Sequence, residues 1–166
     1  NSPIFFFSPH RPHGYLSQWY PSLFTPPSSP HTYTTAEQYM MHRKSLLFSP
    51  PSSTIPAQIL ATDDPRELKR LGRMVEGFDK EVWEREREGV VEEGNWWKFK
   101  ADKELGRRLL ETGGMELVEA AARDRVWGVG FGVERAPFER KRWGMNLLGK
   151  ALMRVRERLR REMEES

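Results

Sequence analysis

The sequence predicts an α+β fold, predominantly helical with a few short strands, and three observations predict it. Beyond Pro56 the chain is punctuated by helix-start residues: Asp64 followed by Pro65, then Asp79, Asp102 and Asn146. Ten of the twelve prolines occur up to Pro56. Because proline fixes φ and removes a backbone donor, that half predicts loops, short strands and one helix. Third, Leu147, Leu148, Ala151, Leu152, Val155 and Leu159 recur at helical spacing, the apolar stripe of a last helix from Asn146 to about Met163.

Each element has its own signal. Ser22-Leu23-Phe24 and His31-Thr32-Tyr33 are expected to pair around a loop, Thr25 to Pro30, too rich in proline for a tight turn. Tyr15, Trp19, Tyr20 and Phe24 read as packing anchors, so this half is too aromatic for a disordered tail. Thr34 and Thr35 open the first helix. Pro56 to Ala61 predicts a short helix, and Asp64-Pro65 starts one that continues to about Val75. Asp79 caps the next, with Val82, Trp83, Val90 and Val91 as buried positions and Gly89 as a weak point. Asp102 caps another that ends at Thr112-Gly113-Gly114, where glycine suits a left-handed terminal residue. Met115 to Glu119 predicts a short strand, and Asp124 to Phe131 an extended, glycine-punctuated segment.

Composition bounds the function. At 166 residues the chain is expected to form one domain with a real core. It contains no cysteine, which excludes disulfides, thiolate metal sites and a thiol nucleophile. No apolar run approaches the ~20 residues of a membrane span, and Ile4 to Phe7 is too short for a signal-peptide core. Location in the cytoplasm or nucleus is expected. The net charge is +3, which permits an anionic partner without demanding one. His10, His13, His31 and His42 lack metal-ligand spacing, so no metal is expected.

Three stretches carry chemistry-bearing residues. The first is Thr34 to Lys44. Seven residues at ~100° make about 700°, so Glu37 and Lys44 project alike on one helix face, with backbones about 10 Å apart. A carboxylate and an amine there can face one pocket. The alternative is capping: Thr34 with Glu37, or Thr35 with Gln38, fits the capping-box spacing, and Lys44 is then a solvated surface amine. The second stretch, Asp124 to Gly132, combines a carboxylate, Trp127 as a flat stacking surface, and glycines that let backbone N–H groups approach an anion. Its alternative is a strand broken by glycines, with a core tryptophan and a capping aspartate. The third is Asn146, an N-cap by position, whose amide or helix start also suits phosphate or ribose oxygens.

Further matches run through the chain in order. They are Leu16-Ser17-Gln18-Trp19-Tyr20-Pro21-Ser22; Ala36-Glu37-Gln38-Tyr39-Met40-Met41 with Lys44; Leu71-Gly72-Arg73; and Phe78-Asp79 with Trp83. Gly94-Asn95, Lys98-Phe99, Leu110 with Thr112, and Leu117-Val118-Glu119 follow. Asp124, Trp127-Gly128, Gly130 and Asn146-Leu147-Leu148-Gly149 close the series. Taken in this order, from Gly14 to about Leu159, the chain resembles the NADAR family, also called YbiA-like proteins.

The resemblance implies a YbiA-like domain over residues 14–163, preceded by an extension over 1–13. It implies an N-glycosyl hydrolase that cleaves the bond between a base and a ribose-phosphate or ADP-ribose moiety. The implied substrates are riboflavin-pathway phosphoribosylaminopyrimidines or ADP-ribosylated guanine; the other reading is a sensor that binds ADP-ribose or NAD-derived ligands without cleaving them. By position it assigns catalysis to Glu37, Lys44 and Asp124. Gln18, Trp19, Tyr39, Trp127, Gly128, Gly130 and Asn146 become substrate-binding residues. No cofactor is implied. The expected partner is a nucleotide-like small molecule, with ADP-ribosylated nucleic acid as a second class. Three features depart from the family pattern: Gln18-Trp19 in place of Asn-Phe, the proline-rich loop at 26–30, and a longer, arginine-rich connection from Val133 to Arg142.

Overall fold

The structure is a computed structural model and describes residues 2–166. In chain order its elements are β1 (Ile4–Phe6), α1 (Ala36–Phe48), α2 (Ile55–Leu60), α3 (Pro65–Arg73), α4 (Lys80–Ala101), α5 (Lys103–Glu111), β2 (Leu117–Glu119) and α6 (Leu147–Glu165). The architecture is mostly helical, with two short strands that pair in parallel, Ile4 opposite Leu117 and Phe6 opposite Glu119. Two compact units divide it: a terminal unit, up to Tyr20 together with Asp102–Ser166, and a central unit, Pro21–Ala101.

In the central unit α1 is the hub, with α2, α3 and α4 packed against it. Its start resolves the two capping alternatives. Thr35 Oγ1 accepts from Gln38 N at 3.0 Å, and Gln38 Oε1 accepts from Thr34 N at 2.8 Å. Thr35 is therefore the N-cap, and Gln38 reaches back one residue beyond it, to Thr34 N, a variant of the capping box. Gln38 also donates through Nε2 to the carbonyls of Ile59 and Thr62 at 3.2 and 2.9 Å. These carbonyls lie at the end of α2, where intrahelical partners run out, so one buried amide joins the start of α1 to the end of α2.

The predicted caps recur with small shifts. Asp64 accepts from Arg66 N, Asp79 from Val82 N, and Asp102 from Glu104 N and Leu105 N. Helix α3 stops at Arg73 rather than Val75, and α4 runs unbroken through Gly89. Val90 and Val91 are buried, whereas Val82 and Trp83 are only half-buried. The expected pairing of 22–24 with 31–33 reduces to one antiparallel bridge, Phe24 with Tyr33, bonded both ways at 3.1 and 2.8 Å.

In the terminal unit α6 packs on β2 and α5, burying the six predicted stripe residues. The segment 124–131 contains no strand; it is a series of bends. The arginine-rich connection after it holds two short 3₁₀ turns, Ala136–Phe138 and Arg140–Arg142. Its side chains are largely committed: Arg135 and Arg142 both reach Glu139, and Arg140 reaches Glu116. Of the expected anchors, Tyr15 and Phe24 are buried, but Trp19 is 44 % exposed.

Asn146 is a larger departure. It occupies the N-cap position of α6 with φ 52° and ψ 43°, a left-handed conformation that asparagine tolerates, and its side chain makes no cap bond. Its amide instead completes the free edge of β2. Oδ1 accepts from Glu119 N and Nδ2 donates to the Leu117 carbonyl, both at 3.0 Å. An edge strand leaves such groups unpaired; here a side chain substitutes for a third strand. The close approach needs glycine at 149, since a Cβ there would lie 2.1 Å from the Leu117 oxygen.

Candidate active site

The central unit holds Glu37, Tyr39 and Lys44, all on α1. Glu37 and Lys44 are half-buried and belong to the same electrostatic neighbourhood. The Lys44 ammonium donates to the Gly72 carbonyl at the end of α3, at 3.0 Å. It lies 4.9 Å from the centre of the Phe78 ring and 5.8 Å from that of Trp83. Burial lowers its pKa from the ordinary lysine value, and the field of the Glu37 carboxylate opposes that shift in part. Lys44 is thus no solvated surface amine. It is a partly desolvated one, held by a carbonyl and two rings and balanced by a carboxylate.

Tyr39 belongs to the core. It is 3 % exposed, with its ring against Gly94 and within 5.0 Å of the Tyr33 ring, centre to centre. Only its hydroxyl reaches a polar partner, accepting from Arg43 Nη1 at 2.5 Å. On the same side of α1, buried His42 meets the Tyr33 hydroxyl through Nδ1 at 2.7 Å. Desolvation, with smaller electrostatic contributions from His31 and Arg43, lowers the His42 pKa to about 4. Lys98 on α4 is a titratable group that sequence analysis left without a role. It is fully buried, and burial lowers its pKa to about 7.

The terminal unit holds Gln18, Trp19, Asp124, Trp127, Gly128, Gly130 and Asn146. Asp124 is half-buried, and its Oδ1 accepts from Val126 N and Trp127 N at 2.9 and 2.8 Å. One carboxylate oxygen therefore shapes the turn that presents Trp127, itself half-buried. Gly128 is buried; a Cβ there would come within 2.8 Å of the Glu119 carbonyl oxygen. Gly130 has φ +81° and lies under the Arg125 side chain. Gln18 is half-buried and Trp19 exposed.

Three N–H groups of the glycine segment already have partners within the fold. Val126 and Trp127 donate to Asp124, and Val129 donates to the Glu119 carbonyl at 3.0 Å. At the start of α6, Leu147 N and Leu148 N donate to the carbonyls of Val126 and Trp127 at 3.0 and 3.1 Å. These bonds satisfy two of the groups that make helix starts attract anions. The glycine segment thus meets the first two N–H groups of α6. Among the described residues, no three His, Asp or Glu side chains gather in a way that could hold a metal ion. No helix among them is long and apolar enough to cross a membrane.

Comparison with known proteins gives this arrangement its class. The fold matches the NMR structure of the E. coli protein YbiA with a TM-score of 0.79 at 28 % identity, over 99 % of this chain and 89 % of that one. A protein of Acanthamoeba polyphaga mimivirus named as an N-glycosidase is 38 % identical over 147 residues, 86 % of this chain and 85 % of its own length. A Vibrio vulnificus protein named for riboflavin biosynthesis is 30 % identical over 157 residues; this chain spans 38 % of its length. The class so defined is that of the N-glycosyl hydrolases. The chain belongs to the NADAR family, whose domain model matches residues 5–160 and so takes in parts of both units.

Proposed function

We propose that the protein hydrolyses the N-glycosidic bond between a base and a ribose-phosphate or ADP-ribose moiety, with Glu37 and Lys44 as the principal reacting groups. The observation that carries the reading is their environment: a half-buried carboxylate and a half-buried amine of lowered pKa, electrostatically coupled on one face of α1. Cleaving an N-glycosidic bond builds positive charge on the sugar, and a nearby carboxylate stabilises it, as in O-glycoside hydrolysis. Glu37 takes that part or activates the attacking water. Water then supplies hydroxide to the anomeric carbon and a proton to the departing base. The N-cap oxygen of α1 comes from Thr35.

Lys44 serves in one of two ways. As an ammonium it is a fixed charge for a phosphate. As a neutral amine it attacks the anomeric carbon of the opened sugar; the bond from that carbon to the base breaks, the base leaves with a proton, and water later hydrolyses the resulting Schiff base to free sugar and amine. Its lowered pKa favours the second role by raising the neutral fraction near neutral pH. The proposal keeps the family-based parts for the other residues: Asp124 in proton transfer or support of ribose hydroxyls, and Trp127 and Trp19 as stacking surfaces. Gln18, Gly128 and Gly130 are further ligand contacts. Tyr39 and Asn146 are proposed as substrate-binding residues as well.

The proposed substrates are phosphoribosylated aminopyrimidines, consistent with relatives named for riboflavin biosynthesis, or ADP-ribosylated guanine, which the family resemblance implies; the work is done in the cytoplasm or nucleus. The test is to incubate the protein separately with a phosphoribosylaminopyrimidine, ADP-ribosylated guanine DNA and free ADP-ribose, following products by mass. Release of free base from one of the first two is expected. Saturable binding of ADP-ribose with no released base from either substrate would replace the enzyme reading with the sensor reading.

A further inference from the structure

Helix α3 ends at Arg73, and the chain turns through Met74 to Asp79 before α4 begins. Gly77 makes that turn possible. Its φ is +73°, and a Cβ would lie 2.7 Å from the Phe48 carbonyl oxygen at the end of α1. The turn delivers Phe78, whose ring meets Phe48 edge-on at 5.2 Å and stands 4.9 Å from the Lys44 nitrogen. Although 45 % exposed, Phe78 is directed at one amine rather than left loose on the surface. Trp83, one turn into α4, adds the second ring at 5.8 Å, and the Gly72 carbonyl receives the hydrogen bond. Three separate elements thus converge on one amine: the end of α3, the following turn and the start of α4.

From this geometry we infer that Phe78 and Trp83 are positioning residues for Lys44, holding its amine against the Gly72 carbonyl and away from bulk water. The inference rests on the reading of Lys44 as a reacting group and adds what keeps it ready. The rings have two opposed effects. Excluding water disfavours the ammonium, while the negative face of each ring attracts it. The Gly72 carbonyl and the charge of Glu37 also favour the ammonium. Burial outweighs them, since the net shift is downward. The two effects of Phe78 can be separated. Phe78→Ala admits water and removes the ring, whereas Phe78→Leu excludes water but lacks the ring's charge distribution.

Reductive methylation by formaldehyde and borohydride, read at the Lys44 peptide by mass spectrometry across pH, reports the neutral amine fraction without any substrate. F78A is expected to move the midpoint upward, toward ordinary lysine, by about half a pH unit or more. F78L is expected to leave it unchanged or move it downward. W83L should follow F78L with a smaller change, because its ring is farther from the amine. Thermal melts of each variant verify folding, which the exposure of Phe78 should preserve. Superimposable profiles for F78A and wild type, or equal upward shifts for F78A and F78L, would overturn the assignment. The outcomes also separate the two readings. If no base is released from any candidate substrate while the profiles move as stated, the glycosidase reading fails and the positioning role stands. If base is released and the profiles do not move, the positioning role fails alone.

Discussion

The face of α1 that carries Glu37 and Lys44 and the turn-rich segment from Asp124 to Asn146 offered similar promise as sequence: carboxylates, aromatic surfaces and hydrogen-bonding groups. The structure uses them differently. On α1 the N-cap oxygen comes from Thr35, and Gln38 reaches back to Thr34 N. In the other segment the fold takes up much of the polar capacity. Asp124 holds its own turn, Asn146 completes the edge of β2, and the first N–H groups of α6 meet carbonyls. Residue type alone does not separate a reacting group from a structural one. In the second segment the roles of Asp124 and Asn146 come from backbone groups that their side chains meet in the fold.

The largest effect expected from this contrast is on α1. Glu37→Gln should lower turnover roughly a hundred- to ten-thousand-fold while changing the melting temperature little. Single-turnover base release and a thermal melt measure the two halves. Near-normal turnover would remove Glu37 from the chemistry. Asn146→Ala should show the opposite balance. It leaves Glu119 N–H and the Leu117 carbonyl without their partner, at about 1–3 kcal/mol for each buried group left unsatisfied. Urea denaturation should register the loss, and a variant as stable as wild type but inactive would return Asn146 to direct ligand binding.

How legible these differences were depends on the distance over which each bond acts. Asp64, Asp102 and Thr35 cap helices two or three residues away, so their roles can be read from spacing. The α6 stripe is equally plain, because its period is local. Asn146 meets groups 27 and 29 residues distant, and no local pattern marks them. Strand β1 is harder still: three apolar residues without alternation, paired with a strand more than a hundred residues away. At the candidate site, spacing brought Glu37 and Lys44 to one face. Gly72, Phe78 and Trp83 figured in the ordered motifs, but only the tertiary fold shows that they surround Lys44. Tyr39 illustrates the reverse, since a site motif is no guide to burial, and its ring is core.

The buried side of α1 allows a pH test independent of substrate. His42 has a pKa lowered to about 4 by burial, whereas an unfolded histidine titrates near ~6.5. Between those values the unfolded chain binds more protons, so falling pH favours unfolding. This contribution is fully present above about pH 6.5, declines as pH falls toward 4, and amounts to about 3 kcal/mol at most. Urea midpoints at pH 7.5 and 4.5 should differ accordingly. His42→Gln should flatten that difference, and an unchanged slope in this variant would assign the acid sensitivity elsewhere.

The smallest effect tests the contrast most directly, because it compares neighbouring positions on one helix turn. Thr35→Ala removes the N-cap oxygen received by Gln38 N and should cost about 1 kcal/mol of stability. It leaves Glu37 and Lys44 in place, so turnover by the folded protein should stay within a fewfold of wild type. Glu37→Gln should do the reverse, and the double variant should lose stability like the first and activity like the second, since the two side chains serve different ends. A shared loss of stability in both single variants would mean that Glu37 contributes to the helix start after all. Its carboxylate lies in the first turn, where the dipole favours negative charge, a contribution of about 0.3–1 kcal/mol at an exposed site and up to about 2 at a partly buried one. A melt that resolves half a kilocalorie, run at low and high salt, separates that screened term from the cap.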